Sequence, residues 1–303
     1  MHVDLDTLAT ALYVKIDDGL KASQLNSDRP ASGIAPKITD AELLTVAVLQ
    51  VLLGHHHETR WLRRARKDIG HLFPYLPKQP GYNKRLRALV PQLTYCIAAL
   101  AADTDLWQHP IRIADSTPVQ CGTSRQTVNR SDLAGWAGYG YCASHSRKFW
   151  GLRLHLVTTV HGLPVAFALT NPKADEREVL IDLVSLQPHM FHHPQGLILV
   201  VDKGYRDRAT ETWLNEANIT VIRPAYRNEA PRPGRSLLRA VRQGVESVND
   251  TLKDQLDLER HGGRTPAGVA ARVLQRVLAL TAAIWHNWHT GQPIMRSLVA
   301  YDH

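Results

Sequence analysis

Three acidic residues, far apart in the sequence, have the type and surroundings that metal-dependent phosphate chemistry needs. Asp115 lies in IRIADSTPV and Asp202 in GLILVVDKGY, each with an apolar, β-branched run typical of a buried strand. Glu246 lies in RQGVESVNDTLK, which has helical periodicity. Carboxylates at two strand ends and on a later helix can converge on Mg²⁺ or Mn²⁺, because these cations prefer oxygen ligands. Two such ions can carry phosphoryl transfer on nucleic acid.

The elements that must position these acids are predicted to form a mixed α/β sheet. Strands are predicted at IRIADSTPV, FWGLRLHLVTTV, LPVAFALT, LILVVD and ITVIRP, with helices at DEREVLIDLVSL, RATETWLNEA and, roughly, 237–259 and 266–289. The order β-β-β-α-β-α-β-α begins with an antiparallel meander. It places the first acid on strand one, the second at the end of strand four and the third on the helix after strand five.

Residues 1–106 are predicted to be helical. Thr39 and Glu42 have the spacing of a capping box before the nearly all-apolar helix AELLTVAVLQVLLG. The next segment, RWLRRARKDIG, concentrates cations, Arg63 and Arg64 among them, within about two helical turns. A small helical unit with a basic stripe is typical of a DNA reader, and a solvated helix face is the alternative. The predicted regions are therefore a helical 1–106, a catalytic 107–290 and a tail 291–303.

The composition favours a polyanionic partner. Lys and Arg total 36 against 28 Asp and Glu, a formal net charge of +8. Nucleic acid is the usual partner of such a surplus, although a merely basic soluble enzyme is the alternative. Three cysteines without a CxxC motif argue against a zinc site or a disulfide framework and suit a reducing compartment. The N-terminus is unlike a signal peptide, and no apolar run approaches a membrane span of roughly 20 residues. A cytoplasmic protein without a membrane partner is therefore expected.

Together these features resemble a known family, the bacterial insertion-sequence DDE transposases. The three acids follow the order found in the RNase H-like catalytic fold of that family. Arg242, Glu246 and Lys253 have the spacing R-x3-E-x6-K of its Y-R-E-K signature, and DKGY after strand four is similar to its second-acid motif. Arg239 stands where the signature has tyrosine, so the role of that tyrosine is not carried over.

The resemblance implies an RNase H-like mixed five-stranded sheet flanked by helices and preceded by an all-helical N-terminal region. It implies an enzyme that binds the ends of an insertion sequence and catalyses metal-dependent DNA strand cleavage and strand transfer. Asp115, Asp202 and Glu246 would hold Mg²⁺, for which Mn²⁺ could substitute. The partners would be double-stranded DNA, as terminal inverted repeats and as target, and further copies of the chain, as a homodimer or higher assembly on DNA. Two alternatives stay open: an RNase H-like nuclease or resolvase without strand transfer, and a catalytically inactive DNA-binding derivative.

Two further groups of cations are predicted to contact DNA. Arg242 and Lys253 are expected on the helix face of the third acid, one turn before it and two turns after it, where they would bind phosphate. The long connection 120–148 mixes cations with aromatic residues, and Arg147 and Lys148 at its end are expected near the metals. The alternatives are a solvated helix face and an ordinary surface loop packed by its own aromatic side chains.

Overall fold

A computed structural model gives the fold of the chain. It describes residues 4–23, 25, 36–142, 146–294 and 298, and of residues 242, 243, 245 and 246 it describes the backbone alone. The chain divides into two units. The helical unit contains the residues up to 104 together with those from 252 onward, and the sheet unit contains residues 105–251.

Ten α-helices and six β-strands lie in the described part of the chain. In chain order they are α1 (Leu5–Ala22), α2 (Asp40–Leu52), α3 (Glu58–Asp68), α4 (Gln79–Ala88), α5 (Val90–Ala102), β1 (Ile111–Gly122), α6 (Arg125–Arg130), β2 (Gly138–Cys142), β3 (Arg147–Thr159), β4 (Pro164–Thr170), α7 (Glu176–Leu186), β5 (Leu197–Val200), α8 (Arg208–Glu216), β6 (Ile219–Ile222), α9 (Arg235–Asp250) and α10 (Pro266–His289). A π-helical segment, Thr251–Gln255, directly follows α9.

Helix α10 forms the centre of the helical unit. Almost every residue after its first turn is buried, and it packs on α5, α2 and α4. Two of its buried polar side chains have protein partners: Gln275 donates from Nε2 to the Ala47 carbonyl at 2.7 Å, and Arg272 forms a buried ion pair with Glu58. Because these two groups have partners, their burial costs little.

The placement of α10 differs from the regions predicted from the sequence, where 252–290 belonged with the catalytic sheet. A helix that is apolar all round needs partners on every side, and the N-terminal helices provide them. The helix is also long and apolar enough to cross a membrane, which the sequence did not lead us to expect. However, 89% of its qualifying 18-residue window is buried inside the protein, as in a core helix.

The start of α2 confirms the predicted capping box. Thr39 Oγ1 accepts from the Glu42 backbone N–H at 3.1 Å, and the Glu42 side chain accepts from the Thr39 backbone N–H at 2.6 Å. Two N–H groups that the helix leaves unpaired are therefore satisfied. All but one of the residues of α2 are buried, as its apolar sequence predicts.

The mixed sheet predicted from the sequence is confirmed, with strand order β2-β3-β1-β5-β6. Strand β3 is antiparallel to β1 on one side, and on its other side β2 and β4 pair with it end to end. Strands β1, β5 and β6 are parallel to one another. Helix α9 packs on the sheet through Val241, which shares a core cluster with Ile113 of β1 and Val200 of β5.

Strand β2 corrects the prediction that residues 120–148 form a loop. The sequence GYGYC has glycine at alternate positions, and glycine disfavours a strand. The structure shows why Gly140 is needed: a Cβ there would lie 2.6 Å from the Phe149 ring and 2.7 Å from Pro172. A close approach between distant segments, which no local pattern reveals, therefore explains why glycine occupies this position of a strand that pairs with β3. The described sheet has six strands rather than the five expected.

Candidate active site

Two of the three predicted acids lie side by side at one edge of the sheet. Strands β1 and β5 are parallel neighbours in which Ile113 pairs with Val200. Asp115 lies two residues after Ile113, and Asp202 lies two residues after Val200. Both acids are therefore at the carboxyl end of the parallel pairing. Neighbouring strands are about 4.8 Å apart, so the register alone brings the two carboxyl groups into the same neighbourhood.

Asp115 is held by two hydrogen bonds. Its Oδ1 accepts from the Ser116 backbone N–H at 2.8 Å, and its Oδ2 accepts from Asn249 Nδ2 of α9 at 2.5 Å. Burial raises the pKa of Asp115 to about 6, and the negative charge of Asp202 acts in the same direction, while the two donors oppose them. A carboxylate that is costly to ionise is one that a bound cation would stabilise.

Asp202 caps the short helical turn Lys203–Tyr205. Its Oδ1 accepts from the Gly204 backbone N–H at 2.6 Å. Its pKa is raised above the usual aspartate value by loss of water around it, with a contribution from the charge of Glu176, although the residue itself remains exposed. Two neighbouring carboxylates, both shifted toward the neutral form and one of them exposed, fit an oxygen-ligated divalent cation.

The third predicted acid, Glu246, lies on α9, but its side chain and that of Arg242 are outside the described part of the structure. The backbone position of Glu246 is one turn before Asn249 on the same helix. Because Asn249 contacts Asp115, α9 presents this stretch to the carboxyl edge of the sheet. Among the side chains that the structure describes, no three His, Cys, Asp or Glu residues form a group able to hold a metal.

A fourth carboxylate, Glu176, was not anticipated. It begins α7, and its Oε1 accepts from Ser116 Oγ at 2.7 Å and from Arg153 Nη1. Its charge contributes to the raised pKa of Asp115 and of Asp202. The sequence DEREVLIDLVSL predicted a helix correctly, but an acid in a first turn is common there for reasons of helix capping and dipole. Only the packing of α7 on the sheet distinguishes Glu176.

The predicted DNA-binding residues of the sheet unit lie at the start of β3. Lys148 is exposed and pairs across the strands with Tyr141 of β2, and Arg147 is its neighbour. Along β3, Lys148 lies eight residues before Leu156, the partner of Asp115. This separation corresponds to about 26 Å of extended strand. Lys148 is therefore remote from the two aspartates, in contrast to the expectation that this segment lies near the metals.

The predicted DNA-binding residues of the helical unit differ in what they contact. Arg63 and Arg64 are exposed on α3, and Arg64 pairs with Asp68 one turn later. Arg66 of the same basic stripe instead donates to three backbone carbonyl groups, at 2.7 to 2.9 Å, and so serves the fold. Lys253 lies in the π-helical segment after α9, so the regular 3.6-residue turn on which its predicted direction rested is interrupted.

A mixed sheet that places one carboxylate within β1 and another just after the adjacent parallel strand β5 suits an enzyme that binds divalent cations through oxygen. A family model described as "Transposase DDE domain" matches residues 106–282, more than half of the chain. The chain belongs to this family and is a DDE transposase, an enzyme of DNA cleavage and strand transfer. Its partner is DNA, and its chemistry uses a divalent metal. A comparison with curated proteins gave no match.

Among solved structures, the chain is similar to the piggyBac transposase synaptic complex with hairpin DNA, at 10% identity and a TM-score of 0.47, covering 98% of this chain and 79% of that one. The Mos1 paired-end complex with the left transposon end has 13% identity and a TM-score of 0.25, covering 76% and 81%. The Mos1 mariner paired-end complex with Mn has 13% identity and a TM-score of 0.25, covering 92% and 86%. Since these scores are below 0.5, family membership rests on the sequence match.

Proposed function

We propose that Asp115, Asp202 and Glu246 hold Mg²⁺ and that this centre cuts the ends of a mobile element and joins them to target DNA. One observation carries the proposal: the parallel register of β1 and β5 brings the two aspartates together, and Asn249 ties α9, the helix of Glu246, to Asp115. Oxygen ligands of this kind suit Mg²⁺, with Mn²⁺ as a substitute.

Hydrogen-bond donors of the protein position the two aspartate carboxylates. Asn249 and the Ser116 backbone N–H fix the two oxygens of Asp115, and the Gly204 backbone N–H fixes Asp202. A bound divalent cation would neutralise charge on the scissile phosphate and lower the pKa of a bound water. Strand cleavage by water and strand transfer by a 3′-hydroxyl are both in-line displacements at phosphorus. One site of fixed carboxylates can therefore serve both reactions.

The proposal is tested by cleavage of end-labelled duplexes copied from the DNA that flanks the coding sequence. We expect nicking at the element boundary with Mg²⁺ or Mn²⁺, none after chelation with EDTA, and joined products when target DNA is added. Nicking without any joined product would identify a nuclease or resolvase. DNA binding without nicking in either metal would identify an inactive derivative.

The raised pKa of Asp115 predicts how the metal requirement changes with pH. Its carboxyl group holds a proton below about pH 6, where an ordinary aspartate is already ionised. Metal must displace that proton, so the Mg²⁺ concentration for half-maximal cleavage should rise by up to about tenfold per pH unit below 6 and be flat above 7. Cleavage rates at several Mg²⁺ concentrations between pH 5 and 8 measure this. A half-maximal concentration independent of pH across that range would contradict the role of Asp115.

We propose that the ribbon formed by β2 and the start of β3 contacts DNA away from the scissile phosphate. Tyr139 and Tyr141 are 60% and 53% exposed, and Lys148 and Arg147 lie on the adjacent strand. Aromatic faces among cations suit a nucleic-acid backbone and its bases. A distance of about 26 Å along β3 from the level of Asp115 is about three quarters of a DNA turn of 34 Å. The ribbon would therefore contact the duplex away from the scissile phosphate.

In the helical unit we propose that Arg63 and Arg64 bind the phosphate backbone of the terminal inverted repeat. Both are exposed on α3, which has further exposed cations at Arg60 and Lys67. Two copies of the chain, or more, would hold the two ends together. Sedimentation of the protein with end DNA tests this stoichiometry.

Removing the two exposed arginines of α3 should weaken DNA binding without affecting metal chemistry. For Arg63→Ala with Arg64→Ala, we expect the slope of log affinity against log salt to fall by about two, because each lost phosphate contact retains its counterion. Binding of end duplexes between 50 and 300 mM salt measures this. Lys21→Ala, which removes an exposed cation of α1 paired with Asp17, is the control and should leave the slope unchanged. A double variant with the slope of Lys21→Ala would assign the α3 arginines to the solvated face.

A further inference from the structure

Behind Asp115, a polar link joins three elements of the sheet unit. It consists of Ser116 of β1, Arg153 of β3 and Glu176 of α7. Ser116 Oγ donates to Glu176 Oε1 at 2.7 Å and accepts from Arg153 Nη1 at 3.2 Å, and the same Nη1 donates to Glu176. Successive residues of a strand point to opposite faces, so the link anchors β1 from the face opposite to Asp115.

The link places the negative charge of Glu176 near the carboxyl end of the pairing between β1 and β5, where Asp115 and Asp202 lie. Glu176 Oε1 accepts from Ser116, the residue directly after Asp115, so the carboxylate charge of Glu176 lies close to Asp115. Such a charge repels the other carboxylates in the empty protein and attracts a cation bound between them. Arg153 partly neutralises it through the ion pair, in which both side chains are largely shielded from water.

The position of Arg153 has an energetic cost, because one of its buried donors has no hydrogen-bond partner in the described structure. Its Nη2 donates to the Tyr141 carbonyl at 3.1 Å, but its buried Nε finds no hydrogen-bond partner in the described structure. A buried donor without a hydrogen-bond partner is destabilising. The contacts with Ser116 and Glu176 therefore determine where the guanidinium lies, at the cost of leaving Nε without a hydrogen bond in the described structure.

Glu176 is not grouped with Asp115 and Asp202 as a third metal ligand. The described acids form no group of three able to hold a metal, and Glu176 Oε1 is engaged by two donors. We propose that Glu176 is a positioning residue of the catalytic centre, which fixes β1 beside Asp115 through Ser116 and supplies negative potential that strengthens divalent-metal binding at Asp115 and Asp202. This inference rests on the proposed metal site.

Calorimetric titration of the full chain with Mn²⁺, without DNA, tests the inference apart from activity. Glu176→Gln should weaken Mn²⁺ binding about tenfold, because one charge acting on a divalent ion through a partly aqueous medium has an effect of this order. The control is Glu178→Gln, an exposed acid two residues further along the first turn of α7, which should bind Mn²⁺ as the unmodified chain does. In cleavage assays, the half-maximal Mg²⁺ concentration should rise in the same proportion, with DNA affinity unchanged.

Arg153→Met should change Mn²⁺ affinity in the opposite direction. It leaves the Glu176 charge uncompensated, so Mn²⁺ should bind more tightly than to the unmodified chain, by about threefold to tenfold. A purely structural role of the link would instead lower the thermal stability of both variants and leave Mn²⁺ affinity unchanged or lower it in both.

The failures of the two proposals are distinguishable. If Asp115→Asn binds Mn²⁺ as tightly as the unmodified chain, the proposed metal site is wrong. If Asp115→Asn loses Mn²⁺ binding but Glu176→Gln binds like Glu178→Gln, only the role of Glu176 is overturned. Should Glu176→Gln fail to fold, Arg153→Met decides the matter, because unchanged or weaker Mn²⁺ binding in that variant contradicts the electrostatic role.

Discussion

Asp115→Asn should abolish DNA cleavage and at the same time stabilise the metal-free protein. The substitution keeps the size of the side chain but removes a charged oxygen ligand, and a loss of several kcal/mol of transition-state stabilisation lowers the rate by about 10³-fold or more. The pKa of Asp115 is raised from 3.8 to about 6, so its ionisation at pH 7 opposes folding. Removing that charge should raise the free energy of unfolding by about 2 kcal/mol, since each pKa unit is about 1.4 kcal/mol and the lost Asn249 contact offsets part of the gain.

The pH dependence of this stabilisation follows from the sign of the shift. A carboxyl group with a raised folded pKa stabilises the protein below its unfolded pKa, and the contribution is lost as the pH rises through about 6. The difference in unfolding free energy between Asp115→Asn and the unmodified chain should therefore be large at pH 7 and shrink toward pH 4. Urea unfolding at both pH values, with EDTA present, measures it.

Asp202→Asn should also lose strand cleavage and strand transfer. An aspartate variant that still cuts DNA in Mg²⁺ would contradict the DDE mechanism.

Glu246→Gln should lose strand cleavage and strand transfer together, by a factor similar to that of the aspartate variants. Its backbone lies one helical turn before Asn249, which contacts Asp115, and a third oxygen ligand completes the set that two aspartates begin. The measurement is product formation from an end duplex and from a pre-nicked duplex, which separates the two reactions. Binding of end DNA should persist, because a negative charge leaves the phosphate path.

The matched control for Glu246→Gln is Asp250→Asn on the same helix. Asp250 is exposed at the end of α9, and the charge change is the same. It should retain cleavage within about twofold, as expected of a surface substitution away from the site. Equal loss in the two variants would indicate that the helix tolerates neither change, and normal cleavage by Glu246→Gln would assign the third ligand elsewhere.

The helix starts and the main strands could be predicted because they depend on nearby residues. The Thr39 and Glu42 capping box is a contact between residues three apart, and it forms as the sequence indicates. The apolar runs before Asp115 and Asp202 form neighbouring parallel strands, which is enough to bring the two acids together. The role of an individual basic residue was less predictable, since Arg66 and Arg64 share a stripe but Arg66 donates to carbonyl groups of the fold.

What the sequence by itself determined was the order of elements, the place of Asp115 on the first predicted strand and of Asp202 after the fourth, and membership of the transposase family, because strand and helix periodicity is local. Asp115 lies within β1 rather than at its end, since β1 continues to Gly122 in its pairing with β3. Tertiary structure alone decided three other features. Strand β2 forms at a glycine-rich segment by pairing with β3, and Gly140 fits there because the chain passes close to Phe149 and Pro172. Helix α10 packs with the N-terminal helices because a helix that is apolar all round must be covered, and α5, α2 and α4 cover it. Glu176 reaches the catalytic edge because α7 packs where its first turn meets Ser116 and Arg153, and such long-range contacts leave no mark on local spacing.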